Sequence, residues 1–266
     1  MGLVQPGAGG YHCDMLNTLT HGQATDKTPL LIVHGLYGSA RNWGVIAKRL
    51  SDERQVIAVD LRNHGASPWT ENHTYPELAD DLAEVIAAYG GQMDVIGHSM
   101  GGKSAMMLAL RHPQALRRLI VADIAPVTYG HSQIQFIEAM RQVDFSKVER
   151  RPDAEAQLAA AGVEPALQSF FTQSLDLANK GWKLNLETLA RHMPDIMGFP
   201  EVDAQWEGPT LFLSGAESNY VTREHRGAAQ NYFPKARFAK IPGAGHWLHS
   251  EKPREFEANA RAFLNA

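Results

Sequence analysis

The sequence predicts an α/β fold: a doubly wound, mostly parallel sheet with a helical lid inserted near its end. Three observations predict it. Short apolar runs alternate with segments of helical spacing over residues 30–122, the pattern of successive βαβ units. Over 127–206 no strand pattern appears and helical segments follow one another. Strand signals return at 210–214 and 236–241, so the same sheet is completed after the interruption.

Taken in order, Leu30–Val33 is a continuous apolar run, as expected of a parallel strand covered on both faces. Residues 55–59 form the next strand and end in a polar loop, where Asp60, Arg62 and His64 read as loop-fixing groups. Residues 76–89 carry Leu78, Leu82, Val85, Ile86 and Tyr89 at helical spacing, with Asp80, Asp81 and Glu84 opposite, so this helix covers the sheet. Residues 93–96 are a short buried strand, and residues 100–110 have the composition of a helix that stops before Pro113. A strand at 119–122 delivers Asp123-Ile124-Ala125-Pro126. Helices are expected around 134–145, 154–161, 165–177 and 186–196, and a closing helix over 251–264 with Phe256 and Phe263 inward. Of the lid's Phe136, Met140, Phe170, Phe171, Trp182, Met193, Met197 and Phe199, at least half are expected to pack among themselves. The rest would wall the apolar side of a ligand cavity.

Bulk composition sets the limits. A chain of 266 residues buries one large core, and 44% hydrophobic with 20% charged residues describes a globular protein. The expected division is a core over 15–126 and 207–266 and a lid over 127–206. The 25 basic against 29 acidic residues leave a net charge of −4, no footprint for nucleic acid or an anionic membrane, and neither is expected as a partner. No run approaches the roughly 18 apolar residues of a membrane span. Cys13, the only cysteine, excludes an internal disulfide and a cysteine-built zinc site, and suits a reducing cytoplasm. Residues 1–14 are glycine-rich and lack the blocks of a secretory signal, so they read as a disordered leader or a non-native extension.

Chemistry concentrates at Gly97-His98-Ser99-Met100-Gly101, between a strand and a helix. Gly-x-Ser-x-Gly in that setting is a nucleophile elbow, a turn so tight that side chains at the glycines would clash and the serine protrudes. The helix that starts beside Ser99 aims backbone N–H groups at any oxyanion formed there, Met100 first. His34-Gly35-Leu36-Tyr37-Gly38 follows the first core strand and can supply a second donor, the Leu36 N–H, with His34 as a brace for the loop. After the last strand, Pro242-Gly243-Ala244-Gly245-His246 presents an imidazole on a flexible loop; His246 is the expected base, and His249 its competitor.

A neutral imidazole needs a carboxylate to hold its tautomer, and in this chain order the acid falls between Ser99 and His246. A Gly-x-x-Asp-x-x-Val pattern after the 210–214 strand would supply it, but here Ser218 occupies the aspartate position. Asp123, at the carboxyl end of the strand next after the elbow, is the expected acid, and Glu217 is the alternative.

These segments, V-H-G-L-Y-G-S, V-D-L-R-N-H-G-A-S-P, G-H-S-M-G-G-K, A-D-I-A-P and G-A-G-H-W-L-H-S-E-K-P, resemble the α/β-hydrolase superfamily and, more narrowly, the small bacterial esterases of the YbfF type. The likeness runs from Met15 to the end. It implies hydrolysis of carboxylic esters or thioesters with Ser99 and His246, acyl-CoA among the substrates, and it supports Asp123, since that branch similarly lacks the usual acid. No cofactor or metal is expected. Other chemistry on the same scaffold, C–C hydrolysis or a lyase reaction, and a non-catalytic protein that binds an apolar ligand are the rival readings.

Overall fold

The computed structural model describes residues 15–266, so the leader reading of residues 1–14, Cys13 included, falls outside the described residues. The chain forms β1 (Thr18–His21), β2 (Leu30–Val33), α1 (Gly44–Leu50), β3 (Val56–Val59), α2 (Tyr75–Ala88), β4 (Met93–His98), α3 (Met100–Arg111) and β5 (Leu116–Ala122). Then come α4 (Ile134–Arg141), α5 (Arg151–Ala160), α6 (Pro165–Phe171), the two-residue strands β6 (Leu175–Asp176) and β7 (Gly181–Trp182), α7 (Leu186–Arg191) and α8 (Met193–Met197). The sheet resumes with β8 (Thr210–Gly215), α9 (His225–Tyr232), β9 (Ala236–Ile241), α10 (Leu248–Glu251) and α11 (Pro253–Leu264).

Seven strands form one sheet in the order β1-β3-β2-β4-β5-β8-β9, and every pairing is parallel except β1 with β3. The chain first winds outward from β2 to β3 and then returns to the other side of β2 with β4. This reversal opens a crevice beyond the carboxyl ends of β2 and β4, where ligands bind in open parallel sheets. Alternation along each strand divides the core. Leu31 and Val33 of β2 face the side covered by α2 and α3, whereas Leu30 and Ile32 face α1 and α11. β2, β3 and β4 are buried at every residue, which is why β2 and β3 read as unbroken apolar runs.

Several features depart from the sequence expectation, and the helices expected at 134–145 and 165–177 end early, at Arg141 and Phe171. β1 was not expected; its half-exposed Thr18–His21 carries little apolar signal, and only pairing with β3 makes it a strand. The insertion contains the β6–β7 hairpin, too short for any periodicity to register. The helices expected at 186–196 and 251–264 are each broken where Pro194 and Pro253 stand in the first turn of a new helix, since proline suits a first turn and disrupts an interior. Within β4 lies Asp94, fully buried, which accepts from Arg54 at 2.8 Å and from Arg117 at 2.5 Å.

Candidate active site

The turn from β4 to α3 is built by two close approaches. A Cβ on Gly101 would stand 2.2 Å from the His34 carbonyl oxygen, and one on Gly97 would stand 2.3 Å from the Gly101 oxygen. No side chain fits at either. Ser99 between them adopts φ 53° and ψ −122°, a conformation that non-glycine residues rarely hold, and its N–H is anchored on the Ala122 carbonyl of β5 at 3.0 Å. The strain forces the hydroxyl out over the carboxyl edge of the sheet.

Ser99 Oγ lies 3.2 Å from His246 Nε2, and His246 Nδ1 lies 2.7 Å from Asp123 Oδ2. The carboxylate accepts, so Nδ1 carries the proton and the Nε2 lone pair faces the serine. Asp123 is fully buried and, like Ser99, has a positive φ, 51°, just past the end of β5. Its Oδ1 accepts from the Gly215 N–H at 3.0 Å and its Oδ2 also accepts from the Ser218 hydroxyl. The hydroxyl at the position where an aspartate was sought thus donates to the carboxylate that stands in its place. Glu217 is exposed and makes no hydrogen bond or ion pair with His246 among the described residues.

His246 is held from two further sides. The His98 Nε2–H donates to the His246 carbonyl at 2.8 Å, which ties the base's loop to the elbow. The Tyr220 ring stacks on the imidazole, with centroids 4.1 Å apart and planes 21° from parallel, and its own carbonyl accepts from the Tyr129 hydroxyl at 2.7 Å. His249 is buried in α10, stacked on Trp43 at 3.9 Å, and makes no hydrogen bond to Ser99 among the described residues. Burial holds its imidazole down to about 3, so it stays neutral.

The loop after β2 is pinned as expected of a brace. His34 Nδ1 donates to the Gly35 carbonyl at 2.8 Å and its Nε2 accepts from the Leu61 N–H at 3.0 Å. His64 Nε2 accepts from the Tyr37 N–H at 3.2 Å, while Asp60 accepts from the N–H groups of Ala40 and Ala66 and Arg62 pairs with Asp81. With its neighbours so fixed, the Leu36 N–H, like that of Met100, has no backbone acceptor among the described residues. Desolvation lowers the pKa of His34 and takes His64 down to about 3, so both are neutral struts.

A cavity of about 200 Å³ adjoins the serine. Four of the eight insertion residues singled out by sequence line it, Phe136, Phe170, Phe171 and Met197, while Met140, Trp182, Met193 and Phe199 pack elsewhere. Sequence reasoning missed His98, Tyr129, Ser218, Tyr220 and Lys103 as neighbours of the site. Ser218 left a trace as the wrong residue at the acid's usual place, and His98 and Lys103 appeared only as members of the elbow segment without a role.

A switch-point crevice, a strained serine elbow and a Ser-His-Asp line-up define an α/β hydrolase. The chain belongs to the alpha/beta hydrolase family, whose model matches residues 30–259. It is 40% identical over 250 residues to an sn-1-specific diacylglycerol lipase, ABHD11, of Danio rerio, covering 90% of this chain and 79% of that one. To the esterase YbfF of Escherichia coli it is 37% identical over 246 residues, 90% and 94% of the two chains. A solved marine microorganism esterase superposes with a TM-score of 0.88 at 36% identity, over 94% of this chain and 99% of that one. The protein is an ester-hydrolysing enzyme of the carboxylesterase type.

Proposed function

We propose that the enzyme cleaves carboxylic esters or thioesters through an acyl-enzyme on Ser99. The observation that carries this is the unbroken contact from Ser99 Oγ through His246 to Asp123, at 3.2 and 2.7 Å. Ser99 Oγ attacks the carbonyl carbon as His246 Nε2 takes its proton, and the carbonyl oxygen becomes an oxyanion held by the Leu36 and Met100 N–H groups. The tetrahedral centre collapses, the alcohol or thiol leaves with the proton from His246, and a water activated by the same imidazole releases the acid. Asp123 holds the tautomer and stabilises the imidazolium.

Residues 127–206 act as a lid, a role supported by the aromatic wall that α4 and α6 place over the serine. The cavity is smaller than the roughly 300–1,000 Å³ typical of drug-sized ligands, which favours short to medium acyl chains, acyl-CoA thioesters among them. The absence of charge suited to nucleic acid and the single Cys13 favour a cytoplasmic enzyme of small molecules. No helix among the described residues is long and apolar enough to cross a membrane.

Ser99→Ala tests the assignment. Turnover of p-nitrophenyl butyrate should fall by at least about a thousandfold, to the residue of catalysis that binding and the oxyanion donors provide. A fluorophosphonate should label wild type at Ser99 and leave the variant unlabelled. A variant that keeps its esterase activity rejects Ser99 as the nucleophile.

A further inference from the structure

Lys103 stands one helical turn beyond Ser99 on α3, and its side chain turns inward: the residue is 1% exposed and lines the cavity. A lysine ammonium has three N–H donors. Two of them go to the carbonyls of Met197, at 3.0 Å, and Gly198, at 2.6 Å, at the end of α8. The third has no oxygen partner among the described residues, and the ammonium lies 4.8 Å from the centre of the Tyr129 ring and 5.8 Å from that of Tyr75. Among the described residues it forms no ion pair with a carboxylate. Two neutral carbonyls and two ring faces compensate a buried cation only in part.

The rest of the cavity sharpens this asymmetry. Its lining contains no aspartate or glutamate and no second lysine or arginine; of its four histidines, burial keeps His34, His98 and His249 below their usual pKa, and the fourth is His246 beside Ser99. In its protonated form Lys103 is an unpaired cation in the cavity wall, which disfavours cations and attracts an anion. The rise of an α-helix places the Lys103 Cα only about 6 Å along the axis from that of Ser99. A group held by both residues therefore spans a short chain.

Building on the ester-hydrolase reading, we propose that Lys103 is a specificity-determining residue that binds a carboxylate at the far end of the acyl chain, so that the preferred substrates are monoesters of short dicarboxylic acids. The free N–H and the charge pair with the terminal carboxylate while the ester carbonyl sits at Ser99. Tyr75 and Tyr129, whose hydroxyls burial keeps protonated, offer no competing anion.

The test compares esters matched in chain length and differing only at the far end, followed by titration of released acid at pH 6.5. Monoethyl succinate, glutarate and adipate are set against ethyl butanoate, pentanoate and hexanoate. For at least one length, wild type should favour the carboxylate-bearing ester by about tenfold or more in kcat/KM, the scale of one charge-assisted hydrogen bond. Lys103→Met and Lys103→Gln should bring that ratio to one or below; the glutamine variant keeps N–H donors for the Met197 and Gly198 carbonyls without the charge. Wild-type hydrolysis of the neutral esters with a ratio of one or less at every length overturns this assignment alone. A ratio above ten that survives in a folded Lys103 variant overturns it as well. Failure to hydrolyse any ester of either series overturns the hydrolase reading and this one with it.

Discussion

Asp123→Asn is the perturbation that most directly interrogates the site. The native carboxylate accepts three hydrogen bonds, from Gly215 N–H, the Ser218 hydroxyl and His246 Nδ1. In the variant one oxygen can keep Gly215, but the amide then turns its NH2 toward His246 Nδ1. That nitrogen must accept, the ring proton moves to Nε2, and Nε2 faces the serine as a donor that cannot take its proton. The analogous change in a serine protease costs about 10⁴ in kcat, so the same order is expected here, about 5 kcal/mol on the barrier. Stability should fall less, by on the order of 1–3 kcal/mol for a buried donor left poorly satisfied. The assay is kcat for p-nitrophenyl butyrate beside a thermal melt that confirms folding. A folded variant that turns over within tenfold of wild type refutes the reasoning, because it shows that no carboxylate at Asp123 is needed to set the tautomer.

The remaining predictions concern the scaffold. Burial holds the Lys103 ammonium down to about 7, against about 10.4 in an unfolded chain. Between those values the unfolded state binds more protons, so this group makes the fold more stable as pH rises. From pH 6 to 9, the denaturant-derived stability of wild type should gain on the order of 2–3 kcal/mol relative to Lys103→Met, in which the effect is absent; parallel curves refute it. Asp94→Ala strands the buried Arg54 guanidinium without its partner and should cost about 3–5 kcal/mol by urea unfolding, whereas a loss under 1 kcal/mol shows that Arg54 finds water. Gly101→Ala pushes a methyl against backbone oxygens of β2 and its loop, and should abolish folding or cut kcat at least about a hundredfold through displacement of the elbow; wild-type turnover shows that the packing yields.

Much of the fold was written in residue patterns, because burial on both faces favours continuous apolar runs such as those of β2 and β3. Ser99 and His246 were equally legible, since a strained turn demands glycines at fixed offsets and those offsets survive in one dimension. β1 and the β6–β7 hairpin were not, because pairing partners rather than composition make them strands.

The acid marks the boundary between the two kinds of information. Sequence by itself favoured Asp123 and kept Glu217 as the alternative, because both follow strands on the correct edge of the sheet. The tertiary structure adds the geometry: Asp123, at positive φ, places its carboxylate 2.7 Å from His246 Nδ1, while Glu217 is exposed. The same holds for Ser218, Tyr220, His98 and Lys103, which earn their places by distances across as many as 148 residues of chain. Local patterns encode what a residue's neighbours in sequence require of it. Which side chains share one cavity, and whether a charge there finds a partner, depends on packing that no short window contains.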